Sequence, residues 1–586
     1  MNARGSGYRD LLATYLVPRW PRVLALALLL FGSIGLDLAN PLILRHAIDA
    51  ARAGHDLSGV TGAAALFILL AIVTQALAVV ETYMAESVGW GATNSLRADL
   101  ALHLLRLDLS FHNRRMPGEL IERVDGDVTL LANFFARFAV AIVGNALLLA
   151  GVLVLLFGVD ARVGLALTAF ALVGVVVMAR LRTVALPHVT AARQQSAAFF
   201  GFVGEALAGT EDIRSSGATG YVMRRLSLLL RAWLRVQRRA GVLGYTAWMA
   251  SLVLVAMGTA LAFALGAYLY KGGAITLGTV YLIYGYTELL RRPTEGLRTQ
   301  IQDLQQAGAS IGRVDELFRT TSRLSDEAGA SARPEVSLPD GALAVEFRDV
   351  AFGYGEEPIL RDVTFTLKPG RVLGLLGRTG SGKTSLIRLL PRLYDVDRGA
   401  VLLGGVDIRA APLAEVRRRV GLVTQEVQLF AASVRDNLTF FDAAVPDERV
   451  VRALDGVGLG DWYRALPAGL DTALAAHGGG LSAGEAQLLS FARVFLRNPG
   501  LVILDEASSR LDPATEALIG RATEALVRGR TAIIVAHRRG TVRRADEIMI
   551  LDGGRIAEHG SRDSLAADPD ARFHGLLRDS LEAILP

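Results

Sequence analysis

The run GRTGSGKTS, Gly377 to Ser385, follows the apolar segment RVLGLL and precedes LIRLLPRLY. Glycines at this spacing between a strand and a helix let the backbone wrap an anion, so that its N–H groups and the helix N-terminus face a phosphate. Gly377, Arg378, Thr379, Gly380, Ser381 and Gly382 make the loop. Lys383 brings a point charge to the β- and γ-phosphates, Thr384 offers a hydroxyl to Mg2+, and Ser385 completes the motif. Downstream, LVILDE ends in Asp505 and Glu506. A carboxylate at the end of a buried strand can hold Mg2+ through water, and the next can orient the attacking water. His537, closing IIVAH, is placed to reach a γ-phosphate. Gln425, in GLVTQEVQLF, fits as a Mg2+ ligand and sensor, and Tyr354, in AFGYGEEPIL, as an aromatic stacked on adenine. Each has a plainer reading alone: a glycine-rich turn, a strand-end cap, a structural histidine, an exposed tyrosine. Together they point to ATP with Mg2+.

The elements that must carry these groups follow from hydrophobic patterning. RVLGLLG, RVGLVTQ, GLVILDE and TAIIVAH are continuous apolar runs ending in polar residues, the pattern of parallel strands buried on both faces with ligand groups at their C-terminal ends. ALAVEFRDVAFGY and PILRDVTFTL read as a small antiparallel β layer ahead of them. From residue 346 to about 580 the chain therefore reads as an α/β P-loop domain of RecA-like type.

The first half obeys other rules. The chain has 586 residues, of which 52% are hydrophobic, and a mean hydropathy of +0.38, with the apolar surplus crowded before residue 300. Apolar stretches at about 22–46, 60–84, 138–158, 162–182, 244–268 and 276–298 each approach the ~20 residues that cross a bilayer. The first is too long for a cleavable signal and lacks a small-residue cleavage site. Arginines cluster before the first stretch, between the second and third, and between the fourth and fifth, whereas the alternate loops, VDAR at 159–162 and YKGG at 270–273, are short. By the positive-inside rule, the termini and both long intervening segments are cytoplasmic. Those segments, about 86–136 and 184–242, read as spans continuing into the cytoplasm as long helices, with turns at 109–120, which carries a Pro-Gly breaker, and at 210–221. Residues 319–345 read as a linker. There is no cysteine, which excludes disulfides, thiolate metal sites and thiol nucleophiles. Lysine occurs only as Lys271, Lys368 and Lys383; the formal charge of +5 is small, and the arginines follow topology, so no nucleic-acid partner is implied.

With these motifs the sequence resembles a half-transporter of the ABC exporter type (type IV), a six-helix transmembrane domain with long cytoplasmic extensions fused to one ATP-binding cassette with antiparallel β and helical subdomains. The likeness spans about residues 15–580. It rests on GRTGSGKTS (Walker A), VTQ (Q-loop), LVILDE (Walker B), SRLD with Asp512 (D-loop) and IIVAH (H-loop), and on SFHNRRMPGELIERVDGDV, similar to the family's first coupling region. The resemblance implies a protein of the bacterial cytoplasmic (inner) membrane, its cassette cytoplasmic, in which two cassettes sandwich two ATPs between the Walker A of one chain and the signature of the other.

That signature departs from the family pattern LSGGQ: here it reads Leu481, Ser482, Ala483, Gly484, Glu485. Ala483 puts a methyl where glycine allows close backbone approach, and Glu485 places a carboxylate near a triphosphate. The same residues also form a capping box, Ser482-x-x-Glu485, which would start the helix AQLLSFARVFL. Upstream, Ala476 and His477 stand where the family has Glu-Arg. Lys383, Asp505, Glu506 and His537 all survive. An intact site of its own beside an altered signature lent to a partner is the pattern of one subunit of a heterodimer, with a partner that carries an intact LSGGQ and an altered Walker B glutamate. A homodimer with a tolerated variant, and an importer built on the same scaffold, are the alternatives. The transported substrate is not specified. Asp37, inside the first span, and Glu288, with Tyr281, Tyr284 and Tyr286 in the sixth, are candidate contacts for an amphipathic or cationic compound, or else packing and belt residues.

Overall fold

A computed structural model of the chain describes residues 13–53, 57–134, 139–290, 306–324, 336–355, 357–475, 480–505, 513–535 and 542–578. It divides into two compact units: one holds Met1–Leu105 and Pro117–Arg319, the other Arg106–Met116 and Thr320–Pro586.

The first unit is helical. Its long helices are α1 (Trp20–Arg52), α2 (Leu57–Arg106), α3 (Ala139–Val159), α4 (Ala161–Ala208), α5 (Thr219–Lys271) and α6 (Leu277–Leu289). Among the described residues, four helices are long and apolar enough to cross a membrane, 13–52, 60–106, 161–208 and 219–271, and a shorter apolar helix runs over 143–159. Helices of 48 to 53 residues are about 70–80 Å long at 1.5 Å per residue, more than twice a bilayer core. They therefore exceed a single bilayer crossing, and of the segments 86–136 and 184–242 expected to continue as long helices, 86–106, 184–208 and 219–242 are parts of α2, α4 and α5. The tight joint between α3 and α4 is set by Asp160, whose carboxylate accepts from the Arg162 N–H at 2.8 Å. After α5 the chain turns at Gly273 in a left-handed conformation, φ +69.

Two expected turns are helical in part. Residues 210–221 contain the short helix Thr210–Ser215, stopped by Gly217 at φ +63 before α5 begins. Residues 109–120 form two short helices, Leu109–Arg114 and Pro117–Ile121, broken between them at Arg115, which is extended. Local chemistry explains this: Asp108 caps the first by accepting from the Phe111 N–H at 3.1 Å, and Pro117, lacking an N–H, starts the second. A π-helical turn, Glu122–Asp127, follows. A core of Leu148, Val152, Leu156, Val163, Leu167, Ala262, Leu282, Ile283 and Tyr286 ties α3 through α6 together.

The second unit is an α/β domain with two sheets. One has the order β2-β1-β4-β5, from β1 (Val345–Tyr354), β2 (Glu357–Leu367), β4 (Arg398–Leu403) and β5 (Val406–Asp407), all antiparallel. The other has the order β10-β9-β3-β8-β7-β6. It runs parallel through β3 (Val372–Leu376), β6 (Val420–Val423), β7 (Leu501–Asp505), β8 (Thr531–Val535) and β9 (Glu547–Asp552), with β10 (Arg555–Ser561) antiparallel at its edge. The four continuous apolar runs of the sequence are β3, β6, β7 and β8, and every residue of β3 and β8 is buried. Two apolar clusters cover the sheet, one centred on Leu489, Val502 and Leu526, the other on Phe347, Leu375 and Ile503.

Candidate nucleotide-binding site

Sheet register brings the phosphate motifs to one edge. Leu375 of β3, Val535 of β8 and Asp505 of β7 lie abreast, so the loop after β3 and the carboxylate ending β7 leave the sheet at the same level. Gln425 lies two residues beyond Val423, which pairs with Leu504. Crevices beyond the C-terminal ends of parallel strands are where α/β sheets hold ligands.

The loop after β3 needs glycine at two points. Gly377 has φ +150, and a Cβ there would lie 2.3 Å from the Leu551 carbonyl oxygen and 2.6 Å from Ser381 Oγ. Gly382, at φ +103, is the N-cap of helix α7 (Lys383–Leu389), where a Cβ would meet Leu360 at 2.8 Å. Lys383 is 7% exposed, and its ammonium donates to the Gly377 and Arg378 carbonyls at 2.6 and 2.9 Å. Burial lowers the pKa of this amine, and the negative charge of Asp505 opposes that shift. The ammonium therefore lies coiled against its own loop, poorly hydrated and within electrostatic range of a carboxylate. An incoming phosphate would meet a desolvated cation, which strengthens the attraction.

The fit to a triphosphate has a direct structural test. Ser381 is 4% exposed, and its buried hydroxyl oxygen has no hydrogen-bond partner. Orphaned buried hydroxyls are costly and scarce, and one inside an anion loop is satisfied when a phosphate oxygen arrives. Thr384 is exposed at the first turn of α7, Gln425 is exposed, and Asp505 is half-buried. Hydroxyl, amide and carboxylate oxygens suit a hard divalent cation. Among the described residues no cluster of three His, Cys, Asp or Glu forms a metal cage, and Mg2+ held largely by phosphate and water requires none. Tyr354 ends β1, 40% exposed, its ring edge-on to Phe352 and to Tyr394, each at 5.1 Å. Glu506, His537, Asp512, Ala476 and His477 lie outside the described residues.

The altered signature begins helix α8 (Ala483–Arg497) as a complete capping box. Ser482 Oγ accepts from the Glu485 N–H at 3.2 Å, while one Glu485 carboxylate oxygen accepts from both the Ser482 N–H and the Ser482 hydroxyl at 2.8 Å. Gly484 is close-packed, since a Cβ there would lie 2.1 Å from Thr515 Cγ2. Ala483 is exposed.

Sequence reasoning passed over three features. Arg493, 9% exposed on α8, donates to the Gln428 carbonyl at 2.9 Å, to the Asn437 carbonyl at 2.7 Å and to Asn437 Oδ1 at 3.2 Å, and lies over the Phe440 ring. Burial, with Arg497 nearby, pulls its pKa down to about 10. A basic residue on the buried face of an apolar helix was the available signal. Glu81 on α2 lies within electrostatic range of half-buried Asp37 on α1. Tyr394, 4% exposed, packs its ring edge-on to Tyr354. Of the sixth-span candidates, Tyr286 is fully buried and donates to the Leu38 carbonyl at 3.0 Å. Tyr281 packs edge-on to Tyr284, which stacks on Phe263 at 5.1 Å. Glu288 is half-buried on the same helix.

The family model "ABC transporter transmembrane region" matches residues 23–294, and the family model "ABC transporter" matches 360–509. The chain is 31% identical over 481 residues to "Probable multidrug resistance ABC transporter ATP-binding/permease protein YheH" of Bacillus subtilis, covering 80% of this chain and 70% of that one. It is 30% identical over 576 residues to a Staphylococcus aureus protein named for multidrug export, covering 94% and 96%. A bacterial Atm1-family ABC exporter solved with ATP bound superposes with a TM-score of 0.80 at 25% identity, over 95% of this chain and 98% of that one. The chain belongs to the ABC transporters of the exporter type, as an ATP-hydrolysing half-transporter with its membrane domain and cassette on one polypeptide.

Proposed function

We propose that this chain uses ATP to export an amphipathic compound, drug-, lipid- or peptide-like, across the bacterial cytoplasmic membrane, as one half of a heterodimer with one competent and one degenerate ATP site. The relatives' names support export. In this reading residues 1–318 form a six-span transmembrane domain, 319–345 a linker and 346–580 the cassette, with the N-terminus and cassette cytoplasmic. ATP binding closes two cassettes and opens the membrane cavity outward, and hydrolysis permits return. On this chain the loop 377–385 binds the phosphates, Lys383 neutralises their charge, and Tyr354 stacks on the base. Thr384 and Gln425 would ligate Mg2+, with Asp505 holding it through water, and the bound ion would supply positive charge against the phosphates. Glu506 positions water, and His537 and Asp512 complete the site. Ser482, Ala483, Gly484 and Glu485 face the partner's ATP. Asp37 and Glu288 are the substrate contacts, and Glu81 adds a second carboxylate beside Asp37.

The observation that carries the asymmetry is the Glu485 carboxylate seated on the hydroxyl and N–H of Ser482, the groups a partner's γ-phosphate would need. The same capping box favours the second reading, a homodimer in which Glu485 simply starts a helix. ATPase activity of the purified chain, alone and with the product of an adjacent transporter gene, separates the two. Activity that appears only with the partner supports the heterodimer. Full activity of a stable homodimer, abolished by Glu506→Gln, refutes it.

A further inference from the structure

Beyond their apolar stretches, α4 and α5 stay packed together and enclose a cavity of about 340 Å3, within the range of small-ligand sites. Its floor is made of small residues. Ala192 on α4 and Ala240 on α5 are 6% and 8% exposed, and a Cβ on Gly241 would meet nothing within 4 Å. Its polar lining is Arg193 and Ser196 from α4 and Trp233 and Gln237 from α5, three or four residues apart on each helix and so on one face.

The cavity is rich in donors and carries no negative charge. The Trp233 ring is held by Phe199 at 5.3 Å and Phe200 at 6.2 Å, and its buried indole Nε1–H has no hydrogen-bond partner. A buried donor without an acceptor is costly. Arg193 is exposed, and among the described residues no hydrogen bond or ion pair engages it. Neither helix can answer these groups: there is no Asp or Glu from 161 to 204 or from 213 to 287, while α5 carries Arg224, Arg225, Arg231, Arg235, Arg238 and Arg239. An occupant must therefore bring both acceptors and negative charge.

The level of the cavity narrows the class of occupant. Gly241 precedes the apolar stretch 244–268 by three residues, about 5 Å, and headgroups fill roughly the first 5–7 Å beyond the hydrocarbon. Arg193 lies eleven residues past 182, about 16 Å along the helix. A helical side chain leans toward its helix N-terminus, which from Arg193 is the direction of the membrane, so the guanidinium reaches back toward the headgroups.

We infer that α4 and α5 form a site for the headgroup of an acidic phospholipid, with the phosphate on Arg193, the outer head oxygens on Trp233 Nε1–H and Gln237, and the acyl chains leaving past Gly241. Basic pockets between helices at the cytoplasmic face suit such headgroups. The site is separate from the ATP chemistry and from the exported compound, and it rests on the reading that puts this end of α4 and α5 at the cytoplasmic face.

The full-length chain in detergent is titrated with phosphatidylglycerol or phosphatidylcholine, and bound lipid is counted by native mass spectrometry. One phosphatidylglycerol should bind about tenfold more tightly than phosphatidylcholine, the scale of one charge-assisted hydrogen bond. Arg193→Gln should abolish that preference and Arg193→Lys should restore part of it. Trp233→Phe, which keeps the ring contacts, should weaken phosphatidylglycerol binding by about three- to tenfold. Gly241→Leu should fill the cavity from a position that meets no neighbour and lower binding in a folded chain. Arg235→Gln removes the same charge from α5 outside the cavity and should leave the preference intact. Equal binding of the two lipids, equal losses in Arg193→Gln and Arg235→Gln, or full binding in Gly241→Leu would overturn the inference. Glycerol 3-phosphate carries the phosphate without the chains; if it displaces the lipid at comparable concentration and depends equally on Arg193, the site takes a soluble phosphate and the lipid assignment fails. The membrane placement is tested apart, because the chain has no cysteine. Gln237→Cys should react with a charged maleimide from the cytoplasmic side alone, and labelling from the other side removes that placement whatever the titration shows.

Discussion

The carboxylate of Asp127 accepts four hydrogen bonds, and its removal has a measurable consequence. It is 2% exposed and accepts from the Ser310 hydroxyl at 3.0 Å, from Arg313 Nε at 2.9 Å, from Arg313 Nη2, and from Arg123 Nη1 at 3.2 Å. Ser310 is fully buried, and Arg313 lies in the helix at 306–319. Breaking a buried ion pair by deleting one partner costs about 3–5 kcal/mol. Here the Arg313 and Arg123 side chains are 36% and 23% exposed and can turn toward water, so Asp127→Ala should cost about 2–3 kcal/mol, at the low end. Asp127→Asn keeps the shape and loses the charge, costing about 1–2 kcal/mol. Arg313→Ala should cost a similar amount to Asp127→Ala, and the double variant about 1–2 kcal/mol less than the sum. Burial alone would raise the acid's pKa, but hydrogen bonds from Arg313, Ser310 and Arg123 override it and hold the pKa below the usual carboxylate range. A folded pKa below the unfolded one gives stability that is complete above the unfolded value near 4 and lost as pH falls through the folded one. The gap between wild type and Asp127→Asn should therefore be flat from roughly pH 5 to 9 and close only below about pH 4. The assay is unfolding of the full-length chain in detergent at a fixed heating rate, since irreversible unfolding makes midpoints rate-dependent. An Asp127→Ala protein within about 0.5 kcal/mol of wild type, or additive single changes, would refute the reasoning.

Three further outcomes are expected. Lys383→Met removes a buried ammonium whose hydrogen bonds go to two carbonyls of its own loop. The ATP-free chain should be as stable or slightly more so, while the rise in melting temperature on adding ATP disappears; a destabilised ATP-free variant would contradict this. Glu485→Gln can keep the cap but not the charge. A γ-phosphate on Ser482 Oγ would sit about 5 Å from the carboxylate, a repulsion of about 3 kcal/mol at an effective dielectric near 20. ATP occupancy at the lent site should then tighten by up to about 100-fold in equilibrium binding, and an unchanged affinity would favour the symmetric homodimer. Arg493→Lys keeps the charge but loses the planar fork that spans Gln428 and Asn437, and should cost about 2–3 kcal/mol in unfolding; a neutral result would mean water replaces those bonds.

The parts of the site that were legible in sequence are those the chain builds locally. The loop at 377–382 lies between its own strand and helix, so glycine spacing and flanking hydrophobicity suffice to place it, and β3, β6, β7 and β8 announce themselves because burial on both faces forces unbroken apolar runs. What could not be read are contacts between segments far apart in the chain. Asn113 meets Tyr394 across 281 positions, and Arg313 meets Asp127 across 186. Neither arginine nor asparagine in a helix carries a local pattern that names its partner. The stretch 109–120 was expected as a turn because Pro117-Gly118 breaks helices; the structure uses the same proline to begin one.

The two ends of the proposed ATP machinery are prepared in opposite senses. In the loop at 377–385 the chain holds a cation stripped of water and a hydroxyl without a partner. Both are unfavourable until a phosphate arrives, so ATP binding releases a cost already present in the folded cassette. At Ser482 the groups that would meet a partner's phosphate are already satisfied by a carboxylate, in an arrangement that stabilises the helix start by about 1 kcal/mol. A phosphate there must displace a charge-assisted bond and then lie beside the displaced charge. On this reading the chain draws ATP toward its own loop and withholds full stabilisation from its partner's. The asymmetry then resides in the free energy of this cassette before any partner is present, with the charge of Glu485 at its centre.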